Sequence, residues 1–326
     1  MGSADHDGAK QGHGIVHKRM QAHNRLITSP RAQVGTKNAG RIQYSPKAAA
    51  WRVSLDVLKT HFMNNTLVNS TSSWLGFDWS ALSFASKILI AYGALMWLAC
   101  GLTYFLSLTD TRTLRDVGVW IKPMKFMSAT ALFVWTTVWL CHLANSSVTN
   151  STAYIWICAL IVATSFFEVA YITYQGSQGA ASHYNTSDPL HALLFGVMAV
   201  AAVGLTASQG WLAWEIWKEN QASELSVTTL GVLIGLTLTF LLSTVSGFLL
   251  GGNQPPAGQG LPIVGWHLYK DIRPSHFLGV HAQQLIPLLG LCAERFFGSY
   301  STYGLGIGSA IYVAAWGILT WTNFAT

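Results

Sequence analysis

The stretch "SVTTLGVLIGLTLTFLLSTVSGFLLG", residues 226–251, runs for 26 residues without one charged side chain. A helix needs about 20 apolar residues to cross the hydrocarbon of a bilayer. A strand reading fails because the run is too long and does not alternate in polarity, and an open sheet in lipid would leave backbone groups unpaired. The stretch is therefore a membrane-crossing helix. Six more runs of the same kind cover 84–108, 123–144, 153–174, 190–216, 276–297 and 301–323, separated by short polar breaks. The fold this predicts is all-α, a polytopic transmembrane bundle of about seven membrane-spanning helices.

Composition agrees. Of 326 residues, 51% are hydrophobic and only 10% charged, against about 25% charged in a soluble domain. The formal charge of +6 is uneven: residues 1–62 hold ten Lys/Arg and three Asp, whereas 63–326 hold nine Lys/Arg and ten Asp/Glu. The basicity belongs to the N-terminal tail, so the charge is no argument for nucleic acid, and the partner expected is the lipid bilayer. Residues 1–62 lack periodicity beyond "WRVSLDVLKTHF" and contain no apolar segment of the signal-peptide kind, which predicts a disordered tail. It reads as a cytosolic basic tail, a transit-like presequence or, the reading favoured, an extension upstream of a natural start at Met63, with 63–326 as the membrane domain. The cysteines (Cys100, Cys141, Cys158, Cys292) lie in apolar runs without metal-ligand spacing and read as small hydrophobes. Trp and Tyr near the run ends, among them Trp79, Trp120, Tyr174, Trp211, Trp266, Tyr300 and Trp321, read as interfacial rings. Gly231/Gly235 and Gly304/Gly308 have the spacing that lets membrane helices approach closely.

Calling the side that holds loop 109–122 side B, the loops 175–189 and 252–275 share it, with Arg112, Arg115, Lys122, Lys125, Lys270 and Arg273 in or beside them. With a start at Met63, the positive-inside rule makes side B cytoplasmic. The membrane expected is the bacterial cytoplasmic one.

The polar residues gather on the same side. At roughly 100° per residue, His276, His281, Gln283 and Gln284 share one arc of run six, opposite Leu278, Ala282, Leu285, Ile286 and Leu289, which predicts an interior polar face and a lipid face. Glu168 lies about one and a half turns from the side-B end of run three, with Gln175 seven residues on along the same face. A carboxylate at that depth is costly and should face the bundle with a partner, for which Lys125 and Arg273 are the available cations. His183, Asn185 and His191 flank the predicted start of run four at Asp188-Pro189. The connection "GGNQPPAGQGLPIVGWHLYKDIRPSHF" (251–277) is rich in Gly and Pro, and its Trp266, His267 and Tyr269 suggest a lid or re-entrant segment. Five of the six histidines beyond residue 63 fall on side B.

Three patches, "KPMKF" (122–126), "SHYNTSDPL" (182–190) and "DIRPSHFLGVHAQQLIPL" (271–288), resemble a group of uncharacterised bacterial multi-pass membrane proteins over about 110–290. The resemblance implies a membrane fold and no particular activity. An Arg-Gly pair precedes the second patch in that group, whereas this chain has Gln178-Gly179, so no cation role carries over to that position.

Three function classes fit these residues. The leading one is a haem- or transition-metal-dependent membrane oxidoreductase, with His183, His191, His276 and His281 as candidate cofactor ligands. Glu168, Asp271, Arg273 and Lys125 are its candidate catalytic groups, acting on a small-molecule or lipid substrate. No HExxH, desaturase-type His box or CxxCH occurs. The alternatives are a proton-coupled small-solute transporter, in which Glu168 and the His276/His281 face exchange protons, and a seven-helix sensor, for which run seven lacks a retinal-bearing Lys.

Overall fold

The seven apolar runs form seven long α-helices in a computed structural model that describes residues 79–221, 225–252, 260–261 and 265–325. These belong to one unit, Ser72–Thr326. The expectations for the 1–62 tail and for a start at Met63 fall outside the described residues. The helices are α1 (Phe84–Thr109), α2 (Ile121–Leu143), α3 (Thr152–Ser177), α4 (Pro189–Glu219), α5 (Val227–Gly251), α6 (Arg273–Phe296) and α7 (Ser301–Ala325). Six of the seven, all but α6, are long and apolar enough to cross a membrane, so this is a multi-pass membrane protein with an all-α bundle.

Local chemistry sets the helix starts. Ser83, Ser151 and Ser226 cap α1, α3 and α5 by accepting from the backbone N–H three residues on, at 3.2, 3.1 and 3.0 Å. The Asp188 carboxylate accepts from Leu190 and His191 N–H, both at 3.0 Å, ahead of Pro189, a residue suited to a first helical turn. Two short antiparallel ladders sit at side B: β1 (Thr113–Leu114) with β2 (Val117–Gly118), and β3 (Gly260–Leu261) with β4 (Gly265–Trp266). Both turn residues of the first, Arg115 and Asp116, have positive φ (52° and 60°). Two such residues in a row define the tight I′ hairpin turn.

Chain neighbours pack against one another from α1 through α7, and α2 also touches α5 and α6. The largest apolar core lies among α1, α2 and α3 and extends to α4 and α5, with Leu89, Leu140, Tyr154, Ile161 and Leu212 inside. Hydroxyl pairs cross-link helices where lipid offers no partner: Ser86 with Tyr154 and Tyr92 with Ser165 join α1 to α3, and Thr206 with Thr244 joins α4 to α5, each at 3.1 Å.

The closest helix pair is α5 with α6. A Cβ on Gly279 would sit 2.8 Å from the Ser243 backbone nitrogen, and one on Gly235 would sit 3.0 Å from the Ala282 carbonyl oxygen. Only glycine permits backbones this near. The contact runs from Gly290 against Val227 and Thr228 at one end to His276 against Ser246 at the other. Thus α6 follows α5 antiparallel along nearly its whole length; of its polar arc Gln283 is buried, and His276, His281 and Gln284 are half-buried. Gly304 and Gly308 of α7 face Phe297 and Leu289 at the other flank of α6.

Two expectations about faces change. Ala282 and Ile286, assigned to the lipid side of α6, are buried, while Phe277, Leu285, Leu288 and Leu291 are exposed. The small residues of that arc admit α5, so close approach rather than polarity decides which side is interior. Trp120, grouped with the interfacial rings, is buried and donates to Asp110 Oδ2 at 2.8 Å. Trp79, Tyr174, Tyr300 and Trp321 are exposed as expected. Cys141 and Cys158 are buried and Cys100 partly so, but Cys292 is exposed.

Candidate functional site

Lys122 opens the site. It is the second residue of α2, and its Nζ donates to Ser182 Oγ at 2.8 Å, on the loop between α3 and α4. Ser182, itself buried, lies 3.3 Å from His183 Nδ1. The His183 ring packs edge-on against Phe126 of α2, with centroids 6.0 Å apart, and tilted against Phe195 of α4 at 5.9 Å. Burial and then the charge of Lys122 hold the His183 imidazole well below its ordinary pKa, so it is neutral near pH 7. Tyr184, at φ 56°, donates its hydroxyl proton to the Leu250 carbonyl at 2.6 Å, tying this loop to the end of α5.

Glu168 faces the bundle, as its cost demands, with 8% of its surface exposed. The cation whose field reaches it is Lys122. Gln175, on the same face, is buried and donates to Tyr171 Oη at 3.0 Å. The cations expected to serve Glu168 lie elsewhere. Lys125 has an exposed side chain. Arg273 grips Asp271 with both edges of its guanidinium, Nε to Oδ1 at 2.7 Å and Nη2 to Oδ2 at 2.6 Å. Burial works to raise the Asp271 pKa, and these bonds outweigh it, leaving the carboxyl below its ordinary value. At the neighbouring loop, Arg112 hydrogen bonds hold Asp110 far below the usual carboxylate range.

The described part of the 251–277 connection lies over this site. Trp266 on β4 donates its indole N–H to the Leu114 carbonyl of the first hairpin at 3.2 Å. Arg115 stands 4.5 Å and Lys122 Nζ 5.8 Å from the Trp266 ring centroid. An aromatic face with cations at both these distances is a cation–π arrangement. The described end of this connection therefore covers Lys122 from side B.

The four candidate histidines do not gather. His183 belongs to the Lys122 group. His191 Nδ1 lies 2.5 Å from Asp188 Oδ2, its own helix cap, which the His191 backbone and then side-chain hydrogen bonds hold below the ordinary pKa. His276 Nδ1 meets Ser246 Oγ of α5 at 3.0 Å, and His281 packs on Phe277 with ring centroids 4.1 Å apart. His191 and His281 have separate partners, the Asp188 cap and the Phe277 ring, and α4 and α6 both pack on α5. Among the described residues, no group of three or more His, Cys, Asp or Glu could hold a metal ion.

A second polar group lies deeper, on α6. Gln284 Nε2 donates to Thr136 Oγ1 of α2 at 3.2 Å, and Gln283 donates its backbone N–H to Thr239 Oγ1 of α5 at 2.8 Å. The Gln283 side chain has 0% exposure and neither amide atom has a hydrogen-bond partner; Gln284 Oε1 is likewise unpartnered. Leaving an amide dry and unpaired costs roughly 2–7 kcal/mol. Gln283 is about 15 Å along α6 from its side-B end, and Glu168 roughly 14 Å from that end of α3, at 1.5 Å per residue.

Sequence reasoning placed Lys122 on side B and gave the acid's partnership to Lys125 and Arg273. It grouped Trp266 with the lid and took Ser182 only as part of a patch. Fold and site together define a polytopic helical membrane protein with a hydrogen-bonded Lys122, Ser182 and His183 at side B and a buried Glu168 on α3. Comparison with known proteins adds nothing further: no protein family, curated protein or solved structure matches the chain.

Proposed function

We propose that the protein is a proton-coupled carrier of a small polar solute in the bacterial cytoplasmic membrane, with side B facing the cytoplasm. The observation that carries this reading is the buried, bundle-facing Glu168 carboxyl, with the hydrogen-bonded Lys122, Ser182 and His183 at side B and a Gln284–Thr136 contact between α6 and α2. An intramembrane acid sharing its surroundings with one cation is the usual proton-exchange element of transporters. Lys122, Ser182 and neutral His183 supply hydrogen bonds to the polar end of the solute, and the Trp266 hairpin closes the site to water. The oxidoreductase reading has less support, because it needs His191 and His281 on one cofactor and their rings have separate partners.

The test is purified protein in liposomes with a trapped pH dye, challenged with a panel of small carboxylates, amides, amines and sugars. Solute-dependent proton movement is expected from the wild type and its loss from Glu168→Gln, with the thermal midpoint of the variant retained. Proton movement that no solute elicits, or that Glu168→Gln leaves intact, ends the proposal.

A further inference from the structure

The orphaned amide of Gln283 is the least explained polar group in the bundle. Its exposure is nil, and both Oε1 and Nε2 are unpartnered, so the point holds whichever end of the amide is the oxygen. The next side chain, Gln284, pairs its Nε2 with Thr136 and leaves Oε1 unpartnered. The backbone contributes as well. Pro287 lies inside α6, four residues after Gln283, and has no N–H to give, so the Gln283 carbonyl loses its helical donor. Broken membrane helices commonly present such freed carbonyls to a solute near mid-membrane. Two of these features, the orphaned amide and the freed carbonyl, thus belong to one residue, in the eleventh position of a 24-residue helix.

We infer that Gln283 is a solute-binding residue, whose amide pairs edge-on with a neutral carboxamide or undissociated carboxyl group. A primary amide offers one donor and one acceptor side by side. The complementary edge is one that accepts at a carbonyl oxygen and donates an N–H or O–H next to it. An amide and a carboxylic acid both carry that edge, whereas a carboxylate, a sugar hydroxyl or an ammonium does not. The side chain that accepts the Gln283 backbone N–H, Thr239, is uncharged, which favours a solute that is neutral at this depth. The residue is enclosed, so the solute reaches it when α6 bends at Pro287, where the ladder of helical bonds is interrupted. This inference rests on the carrier reading and assigns it a substrate class, with Lys122 meeting the solute first and Gln283 second.

The experiment measures binding without requiring transport. Full-length protein in nanodiscs is titrated with propionamide at neutral pH, with propionic acid at acidic pH and with propionate at neutral pH, reading the thermal midpoint. Propionamide, propionic acid or both raise the midpoint, the pattern identifying which source of the edge the site accepts, and propionate does so far less. Gln283→Leu has about tenfold or more weaker apparent affinity, with an unliganded midpoint at or above wild type because an unpaired amide has been removed. Gln283→Asn, which keeps the amide and shortens its reach, retains part of the response. A Gln283→Leu midpoint well below wild type assigns the residue to structure and overturns the inference. So does a ligand response that survives the substitution, or wild type responding to neither probe. Binding that depends on Gln283 with no proton movement would sink the carrier reading alone, and Glu168-dependent transport indifferent to Gln283 would sink this inference alone.

Discussion

At the scale of the residue, what matters is which of two similar side chains the backbone turns inward. "KPMKF" offers Lys122 and Lys125, three positions apart and so about 60° from sharing a helical face. The buried arc of α2 passes through Pro123, Met127, Thr130 and Val134, and Lys122 falls at its edge beside Phe126, with Lys125 beyond it. The register was legible in the sequence, but the choice also required the far side of the contact, Ser182, which comes from 60 residues away and leaves no local signal. The Asp271–Arg273 pair was legible for the opposite reason: both members lie within three residues. The neutral state of His183 has a consequence for pH. Its folded pKa lies well below the ordinary 6.5, so below about pH 6.5 the unfolded chain binds a proton that the folded one refuses. Stability contributed at this position is complete above that pH and declines as pH falls. Thermal midpoints measured from pH 8 to pH 5 should therefore drop, and His183→Phe should drop less over the same range.

At the scale of the element, α6 joins two requirements on one helix. Its small residues, Gly279, Ala282 and Gly290, let α5 approach, while Gln284 reaches Thr136 of α2 and His276 reaches Ser246 of α5. Polarity alone put Leu278, Ala282, Leu285, Ile286 and Leu289 toward lipid, and of these Leu285 is exposed while Ala282 and Ile286 are buried. Periodicity reads hydrophobicity well and reads size poorly, since a small residue against a backbone and a small residue against lipid look the same in a sequence. The glycine spacing on α5 was the relevant signal. Gly279→Ala places a methyl 2.8 Å from the Ser243 nitrogen and 2.9 Å from the Leu242 carbonyl carbon. Backbone cannot yield there as a side chain would, so the expected cost is about 1–3 kcal/mol. Heat or denaturant unfolding in detergent should show it, and unchanged stability would mean that the helices part easily.

At the scale of the whole molecule, the sequence already carried the seven helices, because each has an apolar run long enough to be recognised against short polar breaks. It did not carry the separate partners of the histidines. One-sided placement is a statement about ends of helices, and whether two ends meet depends on neighbours: His191 pairs with its own helix cap and His281 with Phe277. The polarity of α6 also bears on how the chain enters its membrane. Helices are handed to lipid largely one at a time during synthesis, each judged by its own apolarity. Six of these helices pass that judgement and α6 does not. It carries Arg273, two histidines, two glutamines, Glu294 and Arg295, and alone it should be rejected. Fused by itself between reporter domains in an insertion assay, α6 is expected to remain outside the bilayer, while α5–α7 together insert it; efficient entry of isolated α6 would refute this. The glycine faces on α5 and α7 then have a role in biogenesis, holding a reluctant segment at the translocation channel until both neighbours can shelter it.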